Sequence, residues 1–94
     1  MQTQNIIEID ADKKVRAELE ALALLVESAP EGSRRHNLYM AACTAGAAAT
    51  RGIVPAQAAG DRLVTAAASV GLAGPEVART IDSGFQKSGL SFMP

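Results

Sequence analysis

The sequence is poor in the side chains that usually build a small core. It has no tryptophan, and its only aromatic residues are Tyr39, Phe85 and Phe92. Apolar residues still make up 48% of the chain, and the commonest of them is alanine. Alanine has the best helix propensity and little volume, so a core made from it has to be helical with closely spaced axes. One cysteine, Cys43, excludes an internal disulfide and fits a reducing cytoplasm. There is one histidine, His36. On one helix, seven residues from Cys43, it would stand about 10 Å away, too far for a base to activate a thiol. One His and one Cys do not complete a zinc site, and the acids are scattered rather than paired as a metal site or glycosidase dyad needs. No Gly-Lys-Ser/Thr element marks a P-loop. No apolar run reaches membrane-spanning length, and no basic segment followed by an apolar one opens the chain. The expectation is a cytoplasmic protein that is not an enzyme, with no catalytic residues, no metal, no cofactor and no membrane contact.

Charge is divided along the chain. Residues 1–32 hold seven acids against Lys13, Lys14 and Arg16, a balance of −4, whereas residues 33–94 hold six Lys/Arg against three acids, a balance of +3. Such a division suits packing of the two parts on each other, or a modest anion-binding face. It does not resemble the strongly basic surface of a non-specific DNA coat.

At 94 residues a single domain is expected, and the pattern predicts an all-α bundle of about four helices. Residues 1–10 read as a flexible arm, with Ile6-Ile7-Glu8-Ile9 as either a short strand or an early helical turn. An acidic first helix occupies 11–28, its regular part running from about Asp12 to Val26. Val15, Leu19, Leu22 and Val26 form one apolar face, which Leu25 widens. Ser28-Ala29-Pro30-Glu31-Gly32 then breaks the helix. A three-helix module follows over 33–89. Its first helix runs to Arg51, with Leu38, Ala42, Ala45 and Ala49 as a stripe and Gly46 beside it. Gly52 suits the position past a helix end, where φ is positive. Pro55 opens the next helix, which reaches Val70 with Ala59, Leu63, Ala66, Ala67 and Val70 inward and Asp61 and Arg62 outward. Gly74-Pro75-Glu76 is a start signal. The last helix carries Val77, Ile81 and Phe85 at spacing four and ends near Ser88, with Gly89 beyond it. Gly84 lies inside it, at a cost of roughly 1 kcal/mol relative to Ala, which points to close approach by another helix or a ligand. The apolar tail, Leu90 to Pro94, either folds back on the bundle or marks a boundary within a larger protein.

Ser33, Arg34, Arg35 and His36 cluster where the second helix starts. Exposed N–H groups of a first turn favour anions, and two arginines there would suit a phosphate. A turn glycine followed by a Ser N-cap is equally what an ordinary helix start contains. Gly71-Leu72-Ala73-Gly74 spells a G-x-x-G loop, but that module needs a sheet, and two helix-boundary glycines explain it. Ala67, Gly71 and Val77 fall near helix-turn-helix positions. The exposed set of the reading helix would then be Glu76, Arg79, Asp82 and Lys87, poorly suited to a polyanion.

Residues 32–89 resemble the helical module that follows the catalytic domain in bifunctional primase-polymerases of phages and plasmids. The resemblance rests on Gly32-Ser33-Arg34, Leu38, Ala41-Ala42, Gly46, Gly52, Leu63, Ala66-Ala67, Gly71-Leu72, Glu76, Thr80-Ile81-Asp82-Ser83-Gly84 and Gly89. Arg35 departs from it, standing where the family usually has Asn. The resemblance implies a non-catalytic module of DNA replication, of phage or plasmid origin. Such a module would bind single-stranded nucleic acid or nucleotide phosphate, or a primase or helicase partner. Ser33 and Arg34 would suit the phosphate contact, with Ser83 and Gly84 as a second approach point. The competing reading is a small protein–protein interaction or regulatory protein with no nucleic-acid contact, one that has kept only the scaffold and whose Leu19, Leu22 and Val26 stripe would form a homodimer interface.

Overall fold

The computed structural model describes the backbone of residues 2–93 and the side chains of residues 12–93. Four α-helices make up the fold: α1 (Gln2–Glu27), α2 (Arg34–Thr50), α3 (Ala56–Ser69) and α4 (Pro75–Gln86), with a 3-10 turn at Glu31–Ser33 between the first two. The described residues contain no strand. α1 starts ahead of the expected Asp12 and takes in Ile6–Ile9. The arm expected over residues 1–10 falls where side chains lie outside the described residues.

The helix ends follow from the glycines and prolines. Gly52 has φ +75°, which lets the Gly52 N–H reach the Ala49 carbonyl and the Ile53 N–H reach that of Ala48. That pair of bonds satisfies carbonyls otherwise left open at a helix end. Gly71 closes α3 in the same way, with Leu72 donating to the Ala67 carbonyl at 2.9 Å. Pro75 occupies the first turn of α4 behind Gly74, where its missing N–H costs nothing. Pro55 sits one residue outside α3, as its N-cap.

α2 is the central element and touches each of the other three; α4 packs chiefly on α2, and α1 chiefly on α3. The largest fully buried side chains are Phe85, Leu38, Leu63, Ile81 and Val26. Ala23, Ala41, Ala42, Ala45, Ala59, Ala66 and Ala67 are completely covered around them. The scarcity of large side chains is met by short distances between axes. A Cβ placed on Gly84 would come within 2.5 Å of Ala42 Cβ and 2.8 Å of the Cys43 nitrogen. Gly84 therefore marks the α2–α4 crossing, where α2 occupies the approach that a ligand would need.

Three features of α1 and α3 differ from expectation. Leu22 and Val26 are buried, and Leu19 packs against the same core. The stripe proposed as a homodimer interface is thus covered by this chain's own helices. Leu25 lies at the edge of that face and is 44% exposed. Arg62 does not point freely outward. Its Nε and Nη2 donate to the two carboxylate oxygens of Glu20 at 2.8 Å each, and Nη2 reaches Glu27 Oε2 at 3.4 Å. The hydrogen bond from Arg62 holds the Glu20 carboxyl below the usual carboxylate range, and the Glu20 bond pushes Arg62 further up. The acidic first part and basic remainder therefore do pack on each other, through α1 and α3.

The tail folds back. Asp82 Oδ1 accepts from the N–H groups of Phe92 (2.8 Å) and Met93 (3.2 Å), and Oδ2 accepts from Gln86 Nε2 (2.7 Å). The Phe92 ring lies edge-on to Phe85, with centroids 5.7 Å apart and planes at 72°. The backbone N–H groups of Phe92 and then Met93 hold the Asp82 carboxyl below its ordinary range.

Candidate functional site

The turn after α1 sets the geometry of the basic cluster. Pro30 is extended, at φ −60° and ψ 154°, and its carbonyl accepts both the Ser33 N–H (2.9 Å) and the Ser33 hydroxyl (3.2 Å). Ser33 stands at the N-cap of α2 but makes no side-chain cap bond. Its backbone departs from the β-region geometry that lets a cap hydroxyl face the helix N–H groups, and the hydroxyl bonds backward instead.

Arg34 is half-buried, and its Nε is enclosed without a hydrogen-bond partner. Arg35 is exposed and its Nη1 meets Glu76 Oε2 at 2.7 Å. The acid that answers it is therefore in the first turn of α4, not in the first helix. With 65% and 57% of the two side chains exposed, this pair contributes little stability. His36 is exposed. Asn37 donates from Nδ2 to the Leu25 carbonyl at 3.0 Å, which fixes the start of α2 against the end of α1.

Arg35, Leu38, Leu72, Ala73, Glu76, Val77 and Thr80 line a crevice beside this cluster, with a volume of about 10 Å³. That is room for about one water, so a nucleotide could only lie on the surface. Ser33, Arg34, Arg35 and His36 are consecutive and share one end of the bundle. Ser83 is exposed, but it stands seven residues beyond Glu76 on α4, about 10 Å of helix rise, and Gly84 beside it is buried. The two sets of proposed contacts do not converge.

A second surface was not apparent from the sequence. Glu18, Ala21, Leu22 and Leu25 of α1 and Thr44 and Ala48 of α2 line a groove of about 210 Å³. Met40 is 49% exposed and stands one turn ahead of Thr44, to which it is joined by a bond from the Thr44 hydroxyl to its carbonyl at 3.0 Å. It lies beyond the residues that line the groove, on the same side of α2 as Thr44. The one available signal was the spacing of Met40, Thr44 and Ala48, a stripe along one side of α2 that runs from exposed Met40 to Ala48 at the edge of the core.

Among the described residues no three His, Cys, Asp or Glu side chains are grouped to hold a metal, and no helix is long and apolar enough to cross a membrane. Comparison with family models, with curated proteins and with solved structures finds no match, so the surface is read from its own geometry.

Proposed function

We propose that this chain is a non-catalytic helical module that docks another protein in the α1–α2 groove, the partner belonging to the DNA-replication machinery, a primase or a helicase. The observation that carries the docking reading is the groove itself, with Leu25 left exposed on its α1 wall and Met40 exposed one turn ahead of Thr44. Apolar surface gathered in a concave site is where a partner gains most from burial. Glu18 at the rim suits an amphipathic helix with a basic flank. The replication assignment rests on the resemblance of residues 32–89 to the primase-polymerase module.

The test is size exclusion with light scattering, on the chain alone and mixed with a phage or plasmid primase or helicase. A mixed complex that Leu25→Asp abolishes without loss of helical circular dichroism is the expected result. A complex that tolerates Leu25→Asp and Met40→Asp refutes the groove, and a dimer of the chain alone that Leu25→Asp dissolves assigns the groove to self-association.

A second reading has its own observation. The unpaired Nε of Arg34 and the exposed Arg35 and His36 lie at the start of α2, where N–H groups favour anions. Under this reading Ser33, Arg34, Arg35 and His36 contact the phosphates of a single strand.

A further inference from the structure

The tail lies over the bundle, with Leu90 and Phe92 packed against its core. The tail begins where Leu90 donates to the Phe85 carbonyl at 3.1 Å, a bond that also closes the end of α4. From there to Met93 the chain has no regular structure. Two holds fix it, the Asp82 carboxylate and the Phe92 ring, with Leu90 packed on the core and the Ser91 hydroxyl 3.2 Å from Asp82 Oδ1 beside them.

Both holds are built into the helices beneath. Gly60 is buried in the middle of α3, a position where helices disfavour glycine. Its explanation lies in the tail: a Cβ at Gly60 would overlap the Phe92 ring. The edge of Phe85 completes the wall of this seat. On α4, one turn ahead of Gln86, Asp82 aims a single oxygen at two successive N–H groups. The same oxygen accepts the Ser91 hydroxyl at 3.2 Å, but its two bonds to backbone N–H groups ask nothing of the side chains on those residues. The seat therefore selects for an aromatic ring at one residue and a free N–H on that residue and on the next.

We infer that the Gly60–Asp82–Phe85 seat is a binding site for an extended peptide segment carrying an aromatic residue, and that the tail Leu90–Met93 is its tethered, detachable occupant. The tether from the end of α4 to Phe92 is six residues, and over so short a span the tail is present at an effective concentration of the order of millimolar. A second segment of the same chemistry gains the seat only when the tail is released. This site is separate from the α1–α2 groove and does not depend on the function proposed for it.

The experiment uses the full chain. Phe92→Ala removes the ring from the seat and leaves only the weaker backbone hold of the tail to compete, and the probe is the synthetic peptide acetyl-Gly-Leu-Ser-Phe-Met-amide, titrated while the amide signals of Gly60, Asp82 and Phe85 are followed by NMR. The Phe92→Ala chain should bind at least tenfold more tightly than the unaltered chain, which its own tail blocks. Adding Gly60→Ala, or replacing the peptide's Phe by Ala, should abolish those shifts. Binding no tighter than to the unaltered chain, binding that survives Gly60→Ala, or loss of helical circular dichroism in Phe92→Ala would each overturn the inference. In the unaltered chain the Phe92 and Met93 amides should exchange with solvent at least tenfold faster than those of Leu63 and Ile81. Equal protection would mean that the tail opens only with the whole bundle, and would overturn detachment.

Discussion

Gly84→Ala should destabilise this protein even though it replaces the worse helix former by the best. On propensity alone the substitution is favourable by about 1 kcal/mol. Against that stand three atoms of α2 within 2.9 Å of the added carbon: Ala42 Cβ, the Ala42 carbonyl carbon and the Cys43 nitrogen. Two of the three are backbone and can yield only if a helix moves. Restoring ordinary contact requires α4 to retreat by about 0.5–1 Å, a gap that already forfeits a quarter to a half of each dispersion contact it opens. The contacts at risk are those of Val77, Ile81 and Phe85, all buried along the same face. Overpacking of this kind costs about 1–3 kcal/mol, and rigid neighbours place it in the upper part of that range. The net loss is then about 1–2 kcal/mol, or about 5–15 °C in Tm for a domain this small.

The control is Gly46→Ala. There the nearest atoms, Phe85 Cα and Ser88 Oγ, stand at 3.3 Å, so small adjustments suffice and the propensity gain offsets the crowding. Its Tm should stay within about 3 °C of the parent, a change of roughly 0.5 kcal/mol or less. Urea denaturation followed by circular dichroism gives the stabilities, with an unchanged m-value showing that the unfolded state is not the cause. A Gly84→Ala chain as stable as the parent, or more so, would refute the argument, because it would mean that the α2–α4 distance is not set by the missing side chain.

Three further outcomes follow from the charged groups. Asp82 has a depressed pKa in the folded chain, so its contribution is fully present above the ordinary carboxyl value near 3.9 and is lost as pH falls through the depressed one. The stability difference between the parent and Asp82→Asn, read from urea midpoints, should be constant from neutral pH to about 5 and shrink towards pH 2.5; a flat difference would remove the carboxylate charge from the account of the tail. Arg62→Met should lower Tm at low salt and reduce its salt dependence, since Arg62 is the cation that meets both Glu20 and Glu27; an unchanged salt dependence would make that cluster energetically silent. Replacing both Arg34 and Arg35 by Ala should leave stability within about 0.5 kcal/mol. If these residues contact phosphate, the same variant should weaken single-strand binding equally across sequences and flatten the salt slope by about 0.7 per phosphate lost, whereas undetectable binding by the parent at low salt would leave protein docking as the surviving reading.

What was legible in the sequence was local. Gly52, Gly71 and the Gly74-Pro75 pair bracket α3 and open α4 because their backbone requirements are intrinsic to those residues, so the bounds of α2, α3 and α4 came within a residue or two, whereas α1 starts well ahead of the expected Asp12. The alanine stripes gave the buried faces for the same reason. Features at the edge of a stripe were harder. Leu25 and Leu22 are both leucines within one turn and both border the groove, yet Leu25 is left exposed and Leu22 is core, and only the placement of α2 separates them. A charge run is also silent about its partner. Arg35 was legible as a cation at a helix start, but its acid is Glu76, forty-one residues on, and Arg62 reaches back to Glu20, forty-two residues before it.

The glycines inside the helices join these two kinds of information. Gly84 and Gly60 each lack a side chain for a reason lying far along the chain: α2 at Ala42 and Cys43 in one case, the Phe92 ring in the other. Propensity alone says only that such a residue is unfavourable where it stands. A reader of the sequence can therefore locate the crossing without naming what crosses. Gly84 announced a close approach and left helix and ligand open as the cause, while Gly60, set among the alanines of α3, gave no comparable sign. Both are explained by parts of the chain that arrive only on folding, and both place the small residue on the static element and the intruding group on its neighbour. That arrangement lets an alanine-rich chain hold four helices with few large side chains, and it leaves Leu25 and Met40 as apolar surface that the fold itself does not use.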